Sequence, residues 1–166
     1  MKKIYYLTIV AALLIVACQQ TPKTIPVDIA GEKIAISALF DKYNSAFKAK
    51  DAATLTTLLT DDALSCGTDP SEFWNKKQIT DLLTQSSADT ALKINYTYSR
   101  REIRVATDGN SAIVVEQSIM PFLSSKIPIR TVYNAVKTND IWMIDFISWN
   151  FIPINEDIPK LNKAVE

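Results

Sequence analysis

Ser111-Ala112-Ile113-Val114-Val115-Glu116-Gln117-Ser118-Ile119-Met120-Pro121-Phe122 is the stretch that decides the fold. Ala112, Val114, Glu116, Ser118 and Met120 share one phase, and Ile113, Val115 and Ile119 share the other. That period of two reads as a β-strand. It is one of four such segments after Ala91, at 92–107, 111–122, 127–138 and 141–151. Asp108-Gly109-Asn110 and Thr138-Asn139-Asp140 suit tight hairpin turns, and Ser124-Ser125-Lys126 a looser one. Strands this long must bend. Pro121 and Pro128 fall where an edge or a bulge tolerates a residue without an N–H.

Upstream the pattern is helical. Ile36, Leu39, Phe40, Tyr43 and Phe47 fall at i, i+3, i+4, i+7 and i+11, one apolar stripe on a helix predicted from Glu32 to about Lys50. Asp51 suits the N-cap of a short second helix that turns Leu55, Leu58 and Leu59 inward. Ala63 to Gly67 reads as a brief strand. In Thr68-Asp69-Pro70-Ser71-Glu72, an aspartate cap, a proline at N1 and a glutamate at N3 predict the start of a third helix. That helix would bury Ile79, Leu82 and Leu83, with Phe73 or Trp74, and fray near Gln85-Ser86-Ser87. Helices first and antiparallel strands afterwards is an α+β order: three N-terminal helices packed on a curved sheet.

The N-terminus carries an address. Met1-Lys2-Lys3 is a short positive segment, and Ile4 to Ala17 is an uncharged apolar run. The run is long enough for a secretion signal but short of the roughly 20 apolar residues that span a bilayer. It ends in Ile15-Val16-Ala17-Cys18, which resembles the lipobox of bacterial lipoproteins. The resemblance implies a signal peptide over 1–17, cleavage before Cys18, and acyl chains on Cys18 that anchor the chain to a membrane. Residues 18–31, with two prolines and no helical period, then read as lipidated cysteine and tether, 32–151 as one domain, and 152–166 as a C-terminal extension. Gln19 is not the aspartate of the simplest inner-membrane retention signal, and no acidic cluster follows Cys18 to signal surface export, so a periplasm-facing envelope location is expected.

Composition removes several chemistries. The 166 residues include no histidine, three glycines and two cysteines, with 18 basic against 18 acidic residues. Without histidine there is no Ser-His-Asp or Cys-His nucleophile and no imidazole-ligated zinc. Neither a P-loop nor a GxGxxG fingerprint occurs, and no metal or other cofactor is called for. Loss of Lys2 and Lys3 leaves 16 basic residues against 18 acidic ones, and no basic stripe suggests nucleic acid. With Cys18 acylated, Cys66 has no disulfide partner in the chain and reads as a small core residue.

Three stretches together resemble the SnoaL-like branch of the nuclear transport factor 2-like superfamily. They are Phe47-Lys48-Ala49-Lys50-Asp51 with Leu55, Leu58 and Leu59; Gly67-Thr68-Asp69-Pro70-Ser71-Glu72-Phe73-Trp74; and Ile141-Trp142-Met143-Ile144. The resemblance spans residues 32 to 151 and implies a cone-shaped, cystatin-like α+β fold in which the interior and mouth of the cone carry function. Sequences of this branch often continue the last strand with a histidine-x-serine element. Here that stretch is Phe146-Ile147-Ser148-Trp149-Asn150, so an activity that depends on the imidazole is in doubt.

In enzymes of this fold a carboxylate moves a carbon-bound proton while tyrosine hydroxyls hold the enolate oxygen. Glu116 is one candidate carboxylate; Asp145, in phase with Ile141, Met143, Ile147 and Trp149, is the other. Tyr43, Phe47, Tyr96 and Tyr133 are candidate pocket residues, and Arg130 a partner for either carboxylate. A paired or solvent-facing charge is the ordinary alternative for each of the two carboxylates, and core packing for Phe47. The leading functional expectation is a non-catalytic, lipid-anchored module whose cone binds a small apolar molecule or a partner segment. An isomerase, cyclase or dehydratase using a pocket carboxylate is the second. The third is a homodimer assembled through the outer sheet face, with Ile127 and Ile129 in one phase and Val132 and Val136 in the other.

Overall fold

Asp28 opens the first helix, α1 (Ile29–Ala49), by accepting the Gly31 N–H at 3.0 Å. The computed structural model describes residues 26–165, so the signal segment 1–17, Cys18 and most of the tether lie outside the described residues. Ile36, Leu39, Phe40 and Tyr43 of the α1 stripe are buried, while Phe47 is half-buried. The helix stops at Lys50, whose left-handed conformation (φ 54°) returns its N–H to the carbonyls of Ala46 and Phe47. Asp51 at once caps α2 (Ala52–Thr57) through the Thr54 N–H, and Leu55, Leu58 and Leu59 turn into the core.

β1 (Leu59–Cys66) begins four residues earlier than the pattern suggested. The expected helix start at Asp69 is not used. Its carboxylate takes the N–H and hydroxyl of Ser71, two residues on, in place of an N3 donor. Glu72 accepts the Asp69 N–H, so half of a capping box closes a turn with no helix behind it. Phe73–Asn75 then extends as β2 along the edge of β1, which rules out helical dihedrals there. Helix α3 (Lys76–Ala88) starts after it, with the same chemistry three residues apart: Asn75 caps the Gln78 N–H and the Gln78 side chain returns to the Asn75 N–H. Ile79 and Leu83 are buried on α3; Leu82, expected inward, is 42% exposed.

The remaining strands are β3 (Thr97–Val105), β4 (Ser111–Met120), β5 (Ser124–Thr138) and β6 (Ile141–Phe151). They form one six-stranded sheet in the order β2-β1-β6-β5-β4-β3, antiparallel except for the β1–β6 pair. The segment 92–96 does not join β3. Asp89 accepts the N–H groups of Ala91 and Leu92, and Lys50 Nζ holds the Leu92 carbonyl, so the chain crosses from α3 to the sheet before pairing begins. The turn after β4 occupies 121–123, just before the predicted one, and Ser124 already opens β5. Pro128 falls in the irregularity where Ser118 pairs Ile129 but Met120 pairs Ser124, so its missing N–H breaks no ladder bond.

Further register shifts in the β3–β4, β5–β6 and β1–β6 pairs bend the sheet around α1. The inner face of β4 is Ala112, Val114, Glu116, Ser118 and Met120, all buried. Facing them on β5 are Ala135, Tyr133, Thr131 and Ile129; Ile129 is core and cannot contribute to an outer-face patch. At the hairpin end of the sheet, Gly109 (φ 71°) turns β3 into β4 beneath the tether, and a Cβ there would stand 2.7 Å from Val27. Glu32 on the first turn of α1 ties that end together through Lys137 and the Trp142 indole N–H. Cys66, expected in the core, is only half-buried because β1 ends there at the Gly67 turn. The C-terminal residues form a 3₁₀ turn, Asn155–Asp157, and a short helix α4 (Ile158–Ala164) with no buried residue.

Candidate functional site

A cavity of about 280 Å³ lies between the C-terminal half of α1, the helix α3, β1 and the end of β6. The apolar stripe of α1 supplies Tyr43 and Phe47, β6 supplies Ile147 and Trp149, α3 supplies Ile79 and Leu83, and β2 supplies Trp74. Phe47 is the hub of the aromatic wall. Its ring stacks on Tyr43 at 6.2 Å between centroids, with Trp149 at 5.3 Å and Phe122 at 6.5 Å. Leu82 and Leu123, both exposed, mark the mouth beside Thr68 and Glu72.

Behind this wall, toward β3, sits a polar cluster. Glu116 is buried on the inner face of β4, and Arg101, its direct cross-strand neighbour on β3, supplies the counter-charge. Arg101 Nε donates to Glu116 Oε1 at 2.6 Å, and its Nη1 donates to Asp41 at 2.7 Å and to the Ser37 hydroxyl at 3.0 Å. Arg101 Nη2 is equally close to Glu116 but poorly aligned, and among the described residues it is the one buried side-chain polar atom without a hydrogen bond. Asn44 Nδ2 donates to both Glu116 oxygens at 3.1 and 3.2 Å, and Asn44 Oδ1 accepts the Tyr96 hydroxyl at 2.8 Å. Tyr133 donates a long bond, 3.4 Å, to the other Glu116 oxygen.

Burial, reinforced by the Glu116 charge, pushes the Tyr43, Tyr96 and Tyr133 hydroxyls above their ordinary ionisation range. Burial works against the charge of Arg101, and the bonds to Asp41 and Glu116 more than offset it.

The seven predicted site residues therefore divide. Tyr43 and Phe47 line the cavity; Tyr96, Glu116 and Tyr133 belong to the polar cluster; Arg130 and Asp145 join neither. Asp145 is displaced by a bulge. Ala135 pairs Ile144 but Asn134 pairs Phe146, so the inward phase of β6 passes from Trp142 and Ile144 to Ile147 and Trp149. Asp145 drops out of the ladder and accepts the Thr60 hydroxyl at 2.9 Å instead. Arg130 points outward and reaches Gln117, because its phase on β5 is opposite to that of Ile129 and Thr131. Arg101 and Asn44 were not singled out, and neither were Trp74, Trp149 and Glu72 as cavity residues. Two signals pointed to the first pair: Ser37, Asp41 and Asn44 form a polar stripe at i, i+4 and i+7 beside the apolar one, and Arg101 is the arginine opposite Glu116 across the Asp108-Gly109-Asn110 turn.

Chemically, the cavity offers aromatic and aliphatic surface with few polar groups. Glu116 is not among its walls, and a general base must reach the proton that it abstracts. Among the described residues, no group of three or more cysteine, aspartate and glutamate side chains is placed to hold a metal ion.

The fold is shared with many solved structures. A protein with a cystatin-like fold from Caulobacter vibrioides aligns with a TM-score of 0.64 at 16% identity, covering 80% of this chain and 99% of its own. An NTF2-like protein of unknown function from Pseudomonas putida KT2440 aligns at 0.63 and 12% identity, covering 76% and 91%. An NTF2-like protein from Cytophaga hutchinsonii aligns at 0.60 and 16% identity, covering 72% and 98%. At such identities the likeness speaks for the fold alone. No curated protein sequence matches the chain. The sequence model of the SnoaL-like domain matches residues 36–147, from the first buried residue of α1 to the inward turn of β6 at Ile147, and the chain belongs to the SnoaL-like domain family.

Proposed function

We propose that this chain is a binding protein whose cavity takes one small, largely apolar molecule, and that acyl chains on Cys18 hold it in a bacterial envelope, facing the periplasm. The observation that carries the binding reading is the open aromatic cavity itself: about 280 Å³ is enough for a body of several carbon atoms, and the wall is mostly Tyr, Phe, Trp, Leu and Ile. The separation of Glu116 from that cavity, with Glu72 at the mouth held on the Asp69 N–H, favours binding over proton-transfer catalysis. Glu116 is matched by Arg101 and occupied by Asn44 and Tyr133.

The neutral dye N-phenyl-1-naphthylamine tests the cavity. Saturable fluorescence enhancement with one site per chain is expected, and a Leu83→Trp variant that fills the cavity abolishes it while its circular dichroism stays native. A dye signal that never saturates, or that survives the filled variant, overturns the reading. The anchor has its own test: Cys18→Ser abolishes acyl labelling and partition into detergent, and unchanged partition removes the lipoprotein reading. A second copy on the outer sheet face is favoured by the half-buried Val115, Val132 and Val136 beside Ile113, which is 44% exposed. Light scattering decides it, and a monomer at micromolar concentration excludes it.

A further inference from the structure

We propose that the preferred occupant of the cavity is an organic cation, an ammonium group on an alkyl or aryl body; the proposal rests on the binding reading above. The charge of the wall carries the argument. Among the described residues, Glu72 is the one formally charged residue that lines the cavity, and no lysine or arginine does. Three basic residues near it face other groups: Arg101 is bound to Glu116 and Asp41, Lys50 to the carbonyls of Ser86, Asp89 and Leu92, and Lys48 lies over the Tyr96 ring at 4.7 Å. A carboxylate or phosphate entering this space would meet a negative charge with no counter-ion, and burying it so is costly. An ammonium meets a carboxylate and an aromatic wall, the two environments that stabilise it when water is removed.

The carboxylate is also held in place. The Asp69 N–H donates to Glu72 Oε2 at 2.9 Å, the Gly67 N–H donates to the Glu72 carbonyl, and the Glu72 N–H returns to the Asp69 carbonyl. Gly67 makes room for the Glu72 side chain: a Cβ at 67 would fall 2.1 Å from Oε2. The rings of Phe47, Tyr43 and Trp149 line the same cavity. This assigns a use to the turn that resembles a helix cap but starts no helix: it presents one fixed acceptor at the cavity mouth.

The test is a titration of the full chain with hexylammonium, hexanol and hexanoate, read by tryptophan fluorescence from Trp74 and Trp149. Hexylammonium is expected to bind about tenfold more tightly than hexanol, with hexanoate weakest. In Glu72→Gln the ratio of hexylammonium to hexanol affinity is expected to fall toward one. The ranking in the unaltered chain tests the proposal even where that variant fails to fold. Hexanol binding with no preference for the ammonium overturns this proposal and leaves the binding reading standing. Failure of all three probes overturns both, and hexanoate binding best overturns the charge argument outright.

Discussion

Replacing Arg101 by methionine keeps most of the side-chain volume and removes the one full positive charge beside Glu116. Both side chains are almost completely buried, at 7% and 4% exposure, so water cannot take over the lost contact. Asn44 and Tyr133 would still donate to the carboxylate, but neither carries charge. Removing one partner of a buried ion pair costs about 3–5 kcal/mol, chiefly the penalty of the charge left behind. The bond to Asp41 adds at most about 1 kcal/mol, since Asp41 is 58% exposed. A loss near 4 kcal/mol is a large part of the roughly 5–15 kcal/mol that holds a domain together. Urea denaturation followed by circular dichroism measures it. The double variant Arg101→Met/Glu116→Gln removes the orphaned charge and is expected to recover at least half of the loss. A single variant within about 1 kcal/mol of the parent, or a double variant that loses the sum of the two singles, would refute the buried-pair reasoning.

Three further outcomes follow from the same contacts. Tyr43, Tyr96 and Tyr133 stay protonated in the fold at pH values where an unfolded chain ionises, so their contribution is whole below pH ~10 and is lost as pH rises above it. Each lowers stability by up to about 1.4 kcal/mol per pH unit there, and urea midpoints that stay constant through that range would contradict it. Glu32 has its ionisation lowered by hydrogen bonds from Lys137 and Trp142, so its contribution is present above the ordinary carboxylate value of 4.5 and is lost as pH falls through the folded value. Acid titration of Glu32→Gln should show a shallower loss of stability than the parent, and parallel curves would deny the clamp a role. Lys50→Met frees the carbonyls of Ser86, Asp89 and Leu92 and is expected to cost about 1–3 kcal/mol. Faster amide exchange confined to residues 86–94 would be its signature, and unchanged protection there would count against it.

Local chemistry made much of the fold legible. The α1 stripe, the Asp51 cap and the two tight hairpins were readable because each rests on residues close in sequence. Asn139 and Asp140, both with positive φ, turn β5 into β6 where their types require. What misled was chemistry that fits two places. Asp69…Glu72 and Asn75…Gln78 carry the same capping pattern, and only pairing of Phe73–Asn75 with β1 decides between them. Asp145 failed for a different reason: one extra residue in a strand inverts every later side chain, and no local pattern announced that bulge. The cavity was hidden because Trp74 and Trp149 lie far apart in the chain and look like ordinary core residues until the sheet curves.

The packing of Val27 against Gly109 has a consequence for orientation. The chain enters the fold at the hairpin end of the sheet, whereas the cavity is walled by the far half of α1 and the opposite strand ends. Along α1 the two are separated by roughly 20–30 Å. Acyl chains on Cys18, as proposed, would join the fold at the base of the cone through nine residues that span at most about 30 Å. A cysteine placed at Leu123 in a Cys66→Ser background should react with a water-soluble maleimide equally fast on vesicles and in detergent; protection on vesicles would reverse the orientation. On the anchoring and binding readings proposed above, equal rates would place the cavity mouth on the aqueous side, away from the membrane.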